Sequence, residues 1–387
     1  MTRSKHVHLW IPELFCSKGG IQVFSGFFLQ ALQTLYPDAN LSVFLKNDST
    51  AIVEQAFKQN HTHHWSQLPV YCSGKVPTPL RTLFFSWQLL SLAIAQKPDL
   101  IITTHLNFAP IAFILKKLLG TKYMTIAHGV EAWNIQNPLL KKSLQAADLI
   151  LAVSQFTRDR LCQEQGLSPN KVGILHNTFD DKAWKISPKP PNLLQKYGLR
   201  NDQKIILTVS RLVASEQYKG YDRILEALPI IRQTIPDVHY IIVGKGSDRD
   251  RIEQVIHQND LEKHVTLAGF IPDADLGDYY NLCDLFAMPS KREGFGIVYL
   301  ESLACGKPTL GGNLDGAVDA LCDGEIGALI NPDNLSEISK TIIKILSGEY
   351  TNQAIYQPQI LRQKVIASFG FEHFQQTLSS YLSKFLT

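Results

Sequence analysis

Two glutamates, Glu293 and Glu301, stand on either side of a predicted helix start in the segment SKREGFGIVYLESLACGKP, residues 290–308. A charged, glycine-spaced loop precedes the helix, and the Gly-Lys-Pro at its close is a usual stop signal. Gly294 and Gly296 lack a Cβ atom, so a ligand can approach their backbone closely. Carboxylates bind hydroxyl groups, and the free N–H groups at a helix N-terminus bind anions. The segment therefore predicts a site for a ligand that carries both hydroxyls and phosphates.

A nucleotide sugar has this combination of groups. Apolar residues lie all round the predicted helix from Ile297 to Ala304, so the helix is expected to be buried on most sides. An unpaired carboxylate at Glu301 would be disfavoured by desolvation, and a sugar diol is one partner that would satisfy it. The structural alternative makes Glu301 half of a buried ion pair and Glu293 a partner of the helix dipole.

Two cations come before the first long helix of the second half. Arg211 follows the strand-like LTVS, and Lys219 with Gly220 comes eight residues later, ahead of YDRILEALPIIRQ. The planar fork of an arginine and the point charge of a lysine suit a diphosphate. We expect the pair to replace a metal ion, so no metal or other cofactor is predicted. The alternative is an ordinary surface cation pair.

Weaker signals follow other predicted strands. Gly19 and Gly20 open a helix, where their backbone can approach a phosphate or sugar, or can simply make a tight turn. His128 precedes a glycine and is predicted to hydrogen-bond a polar substrate. His105 is interpreted as an ordinary strand-end residue. Gly244 is interpreted as a turn that offers backbone contact to the ligand.

Patterns that can indicate a metal site are interpreted structurally. Two D-x-D matches, at residues 248–250 and 273–275, stand at predicted helix starts, where aspartate is a common cap or dipole partner. A histidine cluster, His61, His63 and His64, has no acids or cysteines close by in the sequence to complete a metal site.

The chain of 387 residues is long enough for two domains of similar size. Short β-rich runs alternate with helical stretches throughout, which predicts two doubly wound parallel-sheet α/β domains. We place the first domain at residues 1–186 and the second at 187–367, joined at the proline-rich SPKPP. A helix within 368–387 is expected to dock on either domain. The expected strands are Val7–Trp10, Leu41–Leu45, Leu100–Thr103, Tyr123–Ala127, Leu149–Val153, Val172–Ile174, Lys204–Ser210, Val238–Gly244, His264–Phe270, Asp284–Ser290 and Pro308–Leu310.

Composition and charge exclude several functional classes. A net charge of +3 is too small to indicate a nucleic-acid partner, and six scattered cysteines without a C-x-x-C pair indicate free thiols in a reducing compartment. The start, MTRSKHVHLWIPEL, has no apolar signal region, so we expect a cytoplasmic protein. The apolar run Leu83–Ala95 is too short to cross a bilayer and is interpreted as a core helix, with a face towards lipid for part of it as the alternative.

Basic residues in the first half leave two interpretations open. They allow peripheral association with the inner face of a membrane, where a lipid-linked acceptor would be found, and they equally allow an ordinary solvated surface. These residues are Lys116, Lys117, Lys122, Lys141 and Lys142.

Taken together, Gly19-Gly20, His128-Gly129, Arg211, Lys219-Gly220 and the run EGFGIVYLESLACGKP resemble glycosyltransferase family four, which are retaining enzymes of the GT-B fold. The resemblance covers nearly the whole chain, and the run with seven residues between its two glutamates is its most specific part. It implies a nucleotide-sugar donor bound chiefly to the second domain.

The resemblance also implies a role for each matched residue. Arg211, Lys219 and the helix start at Phe295–Gly296 would hold the diphosphate, Glu301 the ribose diol and Glu293 the sugar hydroxyls.

The rest of the site follows from the same resemblance. The base would lie near Phe270 and Ile271, and the first domain, with Gly19, Gly20 and His128, would close over the sugar and the acceptor. In two places the chain departs from the family pattern. Arg211 and Lys219 are separated by an unusually long LVASEQY, and GGNLDGAVDAL replaces a common Pro-Glu pair.

The expected activity is retaining transfer of a hexose from UDP-glucose or a related UDP-sugar. The acceptor would be a glycan or a lipid-linked molecule, in polysaccharide or glycoconjugate synthesis. Two alternatives have the two-domain fold or its ligand: a sugar-nucleotide epimerase, for which the first half shows no set of acids placed to move a proton on the sugar ring beyond Glu131, and a non-catalytic sugar-nucleotide-binding module.

Overall fold

The computed structural model describes residues 4–59 and 68–386. They form two compact units, each built on its own parallel sheet. The first unit contains the chain up to Thr178 and also the segment from Glu372 onwards, and the second runs from Phe179 to Phe371. The sequence places the two boundaries between the units after residues 186 and 367. In the structure they lie eight residues earlier and four residues later, after Thr178 and Phe371.

Seven parallel strands make the sheet of the first unit. They are β1 (His6–Ile11), β2 (Asn40–Leu45), β3 (Val70–Cys72), β4 (Leu100–Thr103), β5 (Lys122–Ala127), β6 (Leu149–Ala152) and β7 (Val172–Ile174). Their spatial order is β3-β2-β1-β4-β5-β6-β7. In the register of β1, Leu9 lies opposite Val43 of β2 and Ile102 of β4. Apolar side chains fill the central strands on both faces because helices cover both sides of the sheet.

Six helices alternate with these strands. They are α1 (Gly20–Leu35), α2 (Thr50–Gln59), α3 (Thr78–Gln96), α4 (Ala109–Leu119), α5 (Pro138–Ala146) and α6 (Gln155–Gln165). The helices α3, α4, α5 and α6 contribute side chains to one hydrophobic cluster with the sheet, which includes Trp10, Phe85, Leu115 and Leu144. They therefore cover one face of the sheet as a row.

Six parallel strands make the sheet of the second unit. They are β8 (Ile205–Val209), β9 (His239–Val243), β10 (Val265–Gly269), β11 (Leu285–Met288), β12 (Thr309–Gly312) and β13 (Ala328–Ile330), in the order β10-β9-β8-β11-β12-β13. Isoleucine, leucine and valine dominate the inner strands, and they share one core with the flanking helices. Such buried, β-branched runs are typical of parallel sheets.

Eight helices lie in the second unit, and a ninth begins at its last residue. They are α7 (Pro191–Tyr197), α8 (Tyr221–Thr234), α9 (Arg249–Gln258), α10 (Asp273–Leu282), α11 (Ile297–Ala304), α12 (Ala317–Ala320), α13 (Leu335–Leu346), α14 (Pro358–Phe369) and α15 (Phe371–Leu386). α15 packs with the first unit, where the backbone N–H of Ile174 donates to the hydroxyl of Tyr381 at 3.0 Å.

The predicted fold class of two doubly wound parallel-sheet domains is confirmed. Every expected strand is present, with ends within two residues of the prediction. The strands that the sequence did not reveal, β3 and β13, are three residues long and lie at sheet edges. Among the helices in residues 4–59 and 68–386, none has the length and apolar character needed to cross a lipid bilayer.

Candidate active site

The strand order of the second sheet reverses between β8 and β11, which lie side by side. From β8 the chain moves outward to β9 and β10, and it then returns to the other side of β8 for β11, β12 and β13. In open parallel sheets, ligands bind at such a point, beyond the carboxyl ends of the strands. The loops that follow β8 and β11 therefore meet where a site is expected.

Lys219 and Glu293 form an ion pair between these two loops. The Nζ atom of Lys219 donates to Oε2 of Glu293, and only 15% and 17% of the two side chains are exposed. Burial lowers the pKa of Lys219, but the charge of Glu293 and its hydrogen bond outweigh burial, so the pKa lies above its ordinary value. Lys219 is therefore a fixed cation at neutral pH.

Close packing of the two loops holds this pair in place. The backbone N–H of Lys291 donates to the carbonyl of Tyr218 at 3.0 Å. Gly220 has a φ of +86°, and a Cβ atom there would lie 2.2 Å from the carbonyl oxygen of Pro289. Any side chain at position 220 would force the loops apart, so the glycine beside Lys219 is required for the contact.

A buried aspartate ties the lysine-bearing loop to α8 and α9. Asp248 accepts hydrogen bonds from the hydroxyl of Tyr221 at 2.7 Å, the amide of Gln217 at 3.2 Å and Nε of Arg251 at 2.8 Å. These donors, led by Arg251, hold the pKa of Asp248 down to about 2 despite its burial. Asp248 stands at the start of α9, as predicted, but its carboxylate anchors the loop and does not cap the helix. Of the two roles expected for it, cap or dipole partner, Asp248 makes no capping hydrogen bond but still places its carboxylate at the start of the helix.

Asp315, in the loop after β12, holds the Glu293 loop from the other side. Its Oδ2 atom accepts the backbone N–H of Glu293 and the hydroxyl of Ser290, both at 2.7 Å, and its Oδ1 atom accepts the N–H of Ala317 at 3.0 Å. Burial raises the pKa of Asp315 to about 6, although the three hydrogen bonds oppose the shift. A fully buried carboxyl group thus fixes the backbone from which the Glu293 side chain projects.

The loop after β12 also contacts the backbone carbonyl groups of Glu293 and Gly294. The N–H of Gly316 donates to the carbonyl of Glu293 at 2.8 Å. A Cβ atom at position 316 would lie 2.1 Å from the carbonyl oxygen of Gly294, so only glycine fits there. The Glu293 loop is therefore held through its own N–H and C=O groups.

The start of α11 is sheltered from water. Gly294, Phe295 and Gly296 are all buried, and the ring of Phe295 packs edge-on against Phe369 with 5.3 Å between centroids. No side chain caps the first turn of α11. The first N–H groups of α11 therefore meet no side-chain acceptor, and burial would strengthen a hydrogen bond from them to an anion.

Glu301 lies on the half-buried side of an otherwise buried helix. Within α11 only Val298 and Glu301 are partly exposed, which confirms the prediction of a helix buried on most sides. The hydroxyl of Tyr280, from α10, donates to Oε2 of Glu301 at 2.7 Å. Burial and the nearby charge of Glu301 raise the pKa of Tyr280 well above its ordinary value, so the phenol remains a donor.

Arg211 pairs with a residue that the sequence did not single out. Its guanidinium donates to Oε1 of Glu216 at 2.6 Å, and 64% of the Arg211 side chain is exposed. Tyr218 lies among the charges of both loops: burial raises its pKa, Lys219 and Arg211 lower it, and Glu216 and Glu293 raise it further. The structure thus brings Arg211 near the ion pair, but the partner of Arg211 is Glu216.

The residues predicted to contact the base lie on the opposite side of β8 from Glu293. Phe270 directly follows β10, is 58% exposed, and has Nζ of Lys245 4.8 Å from its ring centroid. Ile271 is half-buried. Gly244 follows β9, and its N–H donates to the carbonyl of Gly269 at 2.8 Å, which agrees with its interpretation as a turn.

In the first unit, His128 is half-buried, packs edge-on against Phe24 and follows β5. Its Nε2 atom lies 2.8 Å from the carbonyl of Thr104, so Nε2 carries the proton and Nδ1 has the lone pair. Burial lowers the pKa of His128 to about 4. At neutral pH the imidazole can therefore accept a hydrogen bond from a hydroxyl group through Nδ1.

Other predicted positions in the first unit have structural roles or lie at a helix start. Nδ1 of His105 accepts the N–H of Asn107 at 3.2 Å, which agrees with its interpretation as a structural residue. Gly19 and Gly20 lie at the start of α1, where no side chain caps the helix. Gly19 has a φ of −176°, which any residue adopts, so the backbone conformation does not require glycine.

The structure groups no set of metal-binding side chains among residues 4–59 and 68–386. The histidine cluster at His61, His63 and His64 lies outside the described residues. In the second D-x-D match, Asp273 and Asp275 occupy the first turn of α10, as predicted.

Three residues of this site were missed by sequence reasoning: Glu216, Tyr280 and Asp315. Glu216 and Asp315 fall in the two segments where the chain departs from the family pattern, so the departures themselves were a usable signal. Tyr280 gave no signal, because a tyrosine on the inner side of a helix is ordinarily a core residue.

Two family profiles match the chain. The profile of Glycosyltransferase Family 4 matches residues 41–183, and that of Glycosyl transferases group 1 matches residues 191–359. The second match contains the Lys219–Glu293 pair, Arg211 and Glu301.

Curated relatives include a GDP-mannose-dependent alpha-(1-6)-phosphatidylinositol monomannoside mannosyltransferase of Mycolicibacterium smegmatis. It is 28% identical over 62% of this chain and 65% of its own length. An alpha-monoglucosyldiacylglycerol synthase of Acholeplasma laidlawii is 27% identical over 67% of this chain and 64% of its own length. This chain thus spans slightly less than two thirds of either relative.

A solved structure of HepE from Anabaena, in complex with UDP, has the same fold. Its TM-score is 0.77 at 22% identity, and the match covers 98% of this chain and 100% of that chain. Because the two profiles together match most of the chain and the strands form two parallel sheets, the chain belongs to glycosyltransferase family 4, with the GT-B fold.

Proposed function

We propose that the protein transfers a hexose from a nucleotide sugar to a glycan or lipid-linked acceptor, with retention of configuration and without a metal. The observation that carries the proposal is the Lys219–Glu293 ion pair at the point where the strand order reverses. A cation and an acid held together there, beside the start of α11, match the charges of a diphosphate and the hydroxyls of a sugar.

Lys219 has hydrogen bonds to spare for a phosphate. An ammonium group has three donors, and the described contacts use one of them, for Glu293. The first N–H groups of α11 follow shortly after Glu293 in the sequence, and they favour negative charge. A diphosphate can therefore bind without breaking the ion pair, so the bound anion would keep Glu293 in place.

Glu293 would bind the sugar hydroxyls and Glu301 the ribose diol. Tyr280 holds one carboxylate oxygen of Glu301 and so orients the group. Arg211 would exchange Glu216 for the diphosphate, since its guanidinium is largely exposed and can swing. The base would lie near Phe270 and Ile271, with Gly244 offering backbone contact. In the first unit, His128 would accept a hydrogen bond from a hydroxyl group, with Gly19 and Gly20 close to the substrate.

The reaction we propose takes place on one face of the sugar. The bond between the anomeric carbon and the phosphate oxygen breaks, the acceptor oxygen bonds to the anomeric carbon from the same side, and the departing phosphate oxygen takes the acceptor proton. No separate base is then needed. The protein's task is electrostatic: Lys219, Arg211 and the α11 amides stabilise the developing pyrophosphate charge in a site sheltered from water.

We propose UDP-glucose, or a related UDP-sugar, as the donor. The UDP-bound HepE structure supports a uracil nucleotide only through its fold, and the mycobacterial relative is named for GDP-mannose. Thermal shifts measured with UDP-, GDP- and ADP-sugars at equal concentration separate these donors, because a bound ligand raises the free energy of unfolding in proportion to ln(1 + [L]/Kd).

The decisive experiment combines product analysis with Glu293→Gln. Transfer should require an acceptor, and the variant should lose more than about tenfold in turnover, which corresponds to roughly 1.4 kcal/mol of barrier. Glu253→Gln, on the exposed side of α9, is the matched control. Conversion of the donor without any acceptor would instead indicate an epimerase, and binding without transfer would indicate a non-catalytic module. Family membership favours the transferase over both.

A further inference from the structure

Three neighbouring helices of the first unit, α3, α4 and α5, contain no aspartate or glutamate. α4 packs against both of the others. The basic residues on these helices are Arg81, Lys116, Lys117, Lys141 and Lys142. In a protein with 38 basic and 35 acidic residues, a row of three helices with basic residues alone is a marked local excess.

The outer side of α3 is apolar. Leu80, Leu83, Phe84, Trp87 and Ile94 are between 38% and 71% exposed. Their spacing of three, four and seven residues places most of them on one stripe of the helix, opposite the buried Phe85, Leu89 and Ala93. The run Leu83–Ala95, expected from the sequence to be a core helix, is therefore apolar on both sides and only half of it lies in the core.

The neighbouring helices extend this surface. Ile114, Leu118 and Leu119 of α4 are 39%, 65% and 36% exposed, and Leu139 at the start of α5 is 45% exposed. In the second unit, the exposed large hydrophobic residues are Ile230, Phe270, Leu314 and Ile360, and they lie on separate elements. Exposed apolar area is thus concentrated on one side of the first unit, which marks an interaction surface. We call it the α3–α5 face.

The lysines on this face are available for a partner. Lys116 is paired with Asp148 at 2.7 Å, whereas Lys117, Lys141 and Lys142 pair with no carboxylate in the described part of the chain. Long lysine side chains beside exposed leucine, phenylalanine and tryptophan are the composition of a helix that lies in a membrane interface.

We propose that the α3–α5 face docks on a lipid bilayer that contains anionic headgroups. Charge decides against a second copy of the chain as the partner. A two-fold contact would bring the same face of both copies together and would set lysines against lysines with no acids between them. An anionic bilayer offers phosphates to the lysines and acyl chains to the apolar stripe.

The α3–α5 face shares no residue with the proposed sugar-transfer site. An experiment can therefore contradict one of the two proposals and leave the other intact. The test measures co-sedimentation of the full-length protein with vesicles and needs no activity. We expect binding to phosphatidylcholine vesicles with roughly 30% phosphatidylglycerol, and binding at least about fivefold weaker both to phosphatidylcholine alone and in about 0.5 M salt.

Two variants test the two components of the surface. Leu83→Ser with Trp87→Ser should weaken binding at least about tenfold, and Lys117→Glu with Lys142→Glu about fivefold, both with unchanged unfolding temperature because the four side chains are exposed. The matched controls, Ile230→Ser and Lys340→Glu in the second unit, should bind like the wild type.

Three results would overturn the proposal. These are no binding to anionic vesicles, equal binding by the Leu83/Trp87 variant, and a dimer in analytical ultracentrifugation that the same variant abolishes. The last result would assign the face to a second copy of the chain.

Discussion

Oδ2 of Asp315 accepts the backbone N–H of Glu293 at 2.7 Å, across 22 residues of sequence. The same oxygen accepts the hydroxyl of Ser290, and the second oxygen accepts the N–H of Ala317. The acid proposed to hold the sugar is therefore placed by another, fully buried carboxyl group.

The protonation of Asp315 should be visible in the stability of the protein. Its pKa of about 6 in the folded state lies above its ordinary value of 3.8, so the folded state takes up a proton first as the pH falls. Relative to Asp315→Asn, the wild type should gain about 2 kcal/mol in free energy of unfolding between pH 7.5 and 4.5. Urea unfolding at each pH measures this difference.

Asp248→Asn serves as a control, because the pKa of Asp248 is shifted in the opposite direction to that of Asp315. Its folded pKa of about 2 lies below the ordinary value, so its contribution to stability is lost only as the pH falls well below 4.5. The difference between the wild type and Asp248→Asn should stay nearly constant across the same window. Equal behaviour of the two variants would contradict the raised pKa of Asp315.

Replacing one partner of the Lys219–Glu293 pair should lower the free energy of unfolding more than replacing both partners. Lys219→Met or Glu293→Gln alone strands a largely buried charge and should lower the free energy of unfolding by about 2 kcal/mol, after allowance for the small exposed fraction. The double variant should recover about half of that loss. Its turnover should remain at the level of the less active single variant, because we propose that both groups contact the donor. A double variant whose stability loss is the sum of the two single losses would argue against direct coupling.

Glu216 should compete with the diphosphate for Arg211. Arg211→Ala should weaken UDP binding about tenfold or more, since it removes a charge-assisted contact. Glu216→Gln keeps the shape of the side chain but releases the guanidinium, and should tighten UDP binding about threefold or more. Calorimetry measures both, with Arg200→Ala, an exposed ion pair elsewhere on the second unit, as the control. Weaker UDP binding by Glu216→Gln would mean that Glu216 orients Arg211 and does not compete.

His128 should make the folded state sensitive to acid. Its folded pKa of about 4 lies below the ordinary 6.5, so its stabilising contribution is present above pH 6.5 and is lost as the pH falls toward 4. Relative to His128→Asn, the wild type should lose about 2 kcal/mol in free energy of unfolding between pH 8 and 5. His257 on α9 should show the opposite sign, because Glu262 raises its pKa. If His128→Asn followed the wild type through this range, the ring would not be held neutral.

The fold could be predicted because its strands carry their own signal. Runs such as Ile205–Val209 and His239–Val243 are buried on both faces, and burial on both faces leaves an apolar run in the sequence. The edge strands Val70–Cys72 and Ala328–Ile330 are short, and pairing with a neighbour defines them more than composition does. They were therefore not predicted, although Val172–Ile174, which is equally short and also lies at a sheet edge, was.

The residues of the candidate site also differ in whether the sequence alone could predict them. The positions of Lys219 and Glu293 could be predicted because each follows a strand of a parallel sheet, and the ends of such strands meet. Their partners could not, because the contacts depend on how loops far apart in sequence lie against one another. Arg211 illustrates the limit: its place after β8 was predictable, but its pairing with Glu216 depends on the turn that the intervening residues adopt.

The last helix, α15, has a consequence for the order in which the chain is made. All seven strands of the first sheet leave the ribosome long before Tyr381, whose ring packs on Gly173 and whose hydroxyl receives the N–H of Ile174. Until α15 has been synthesised, that edge of the nascent first unit stays bare while the whole second unit emerges. A chain arrested near residue 371 would thus present an unfinished surface to chaperones and proteases.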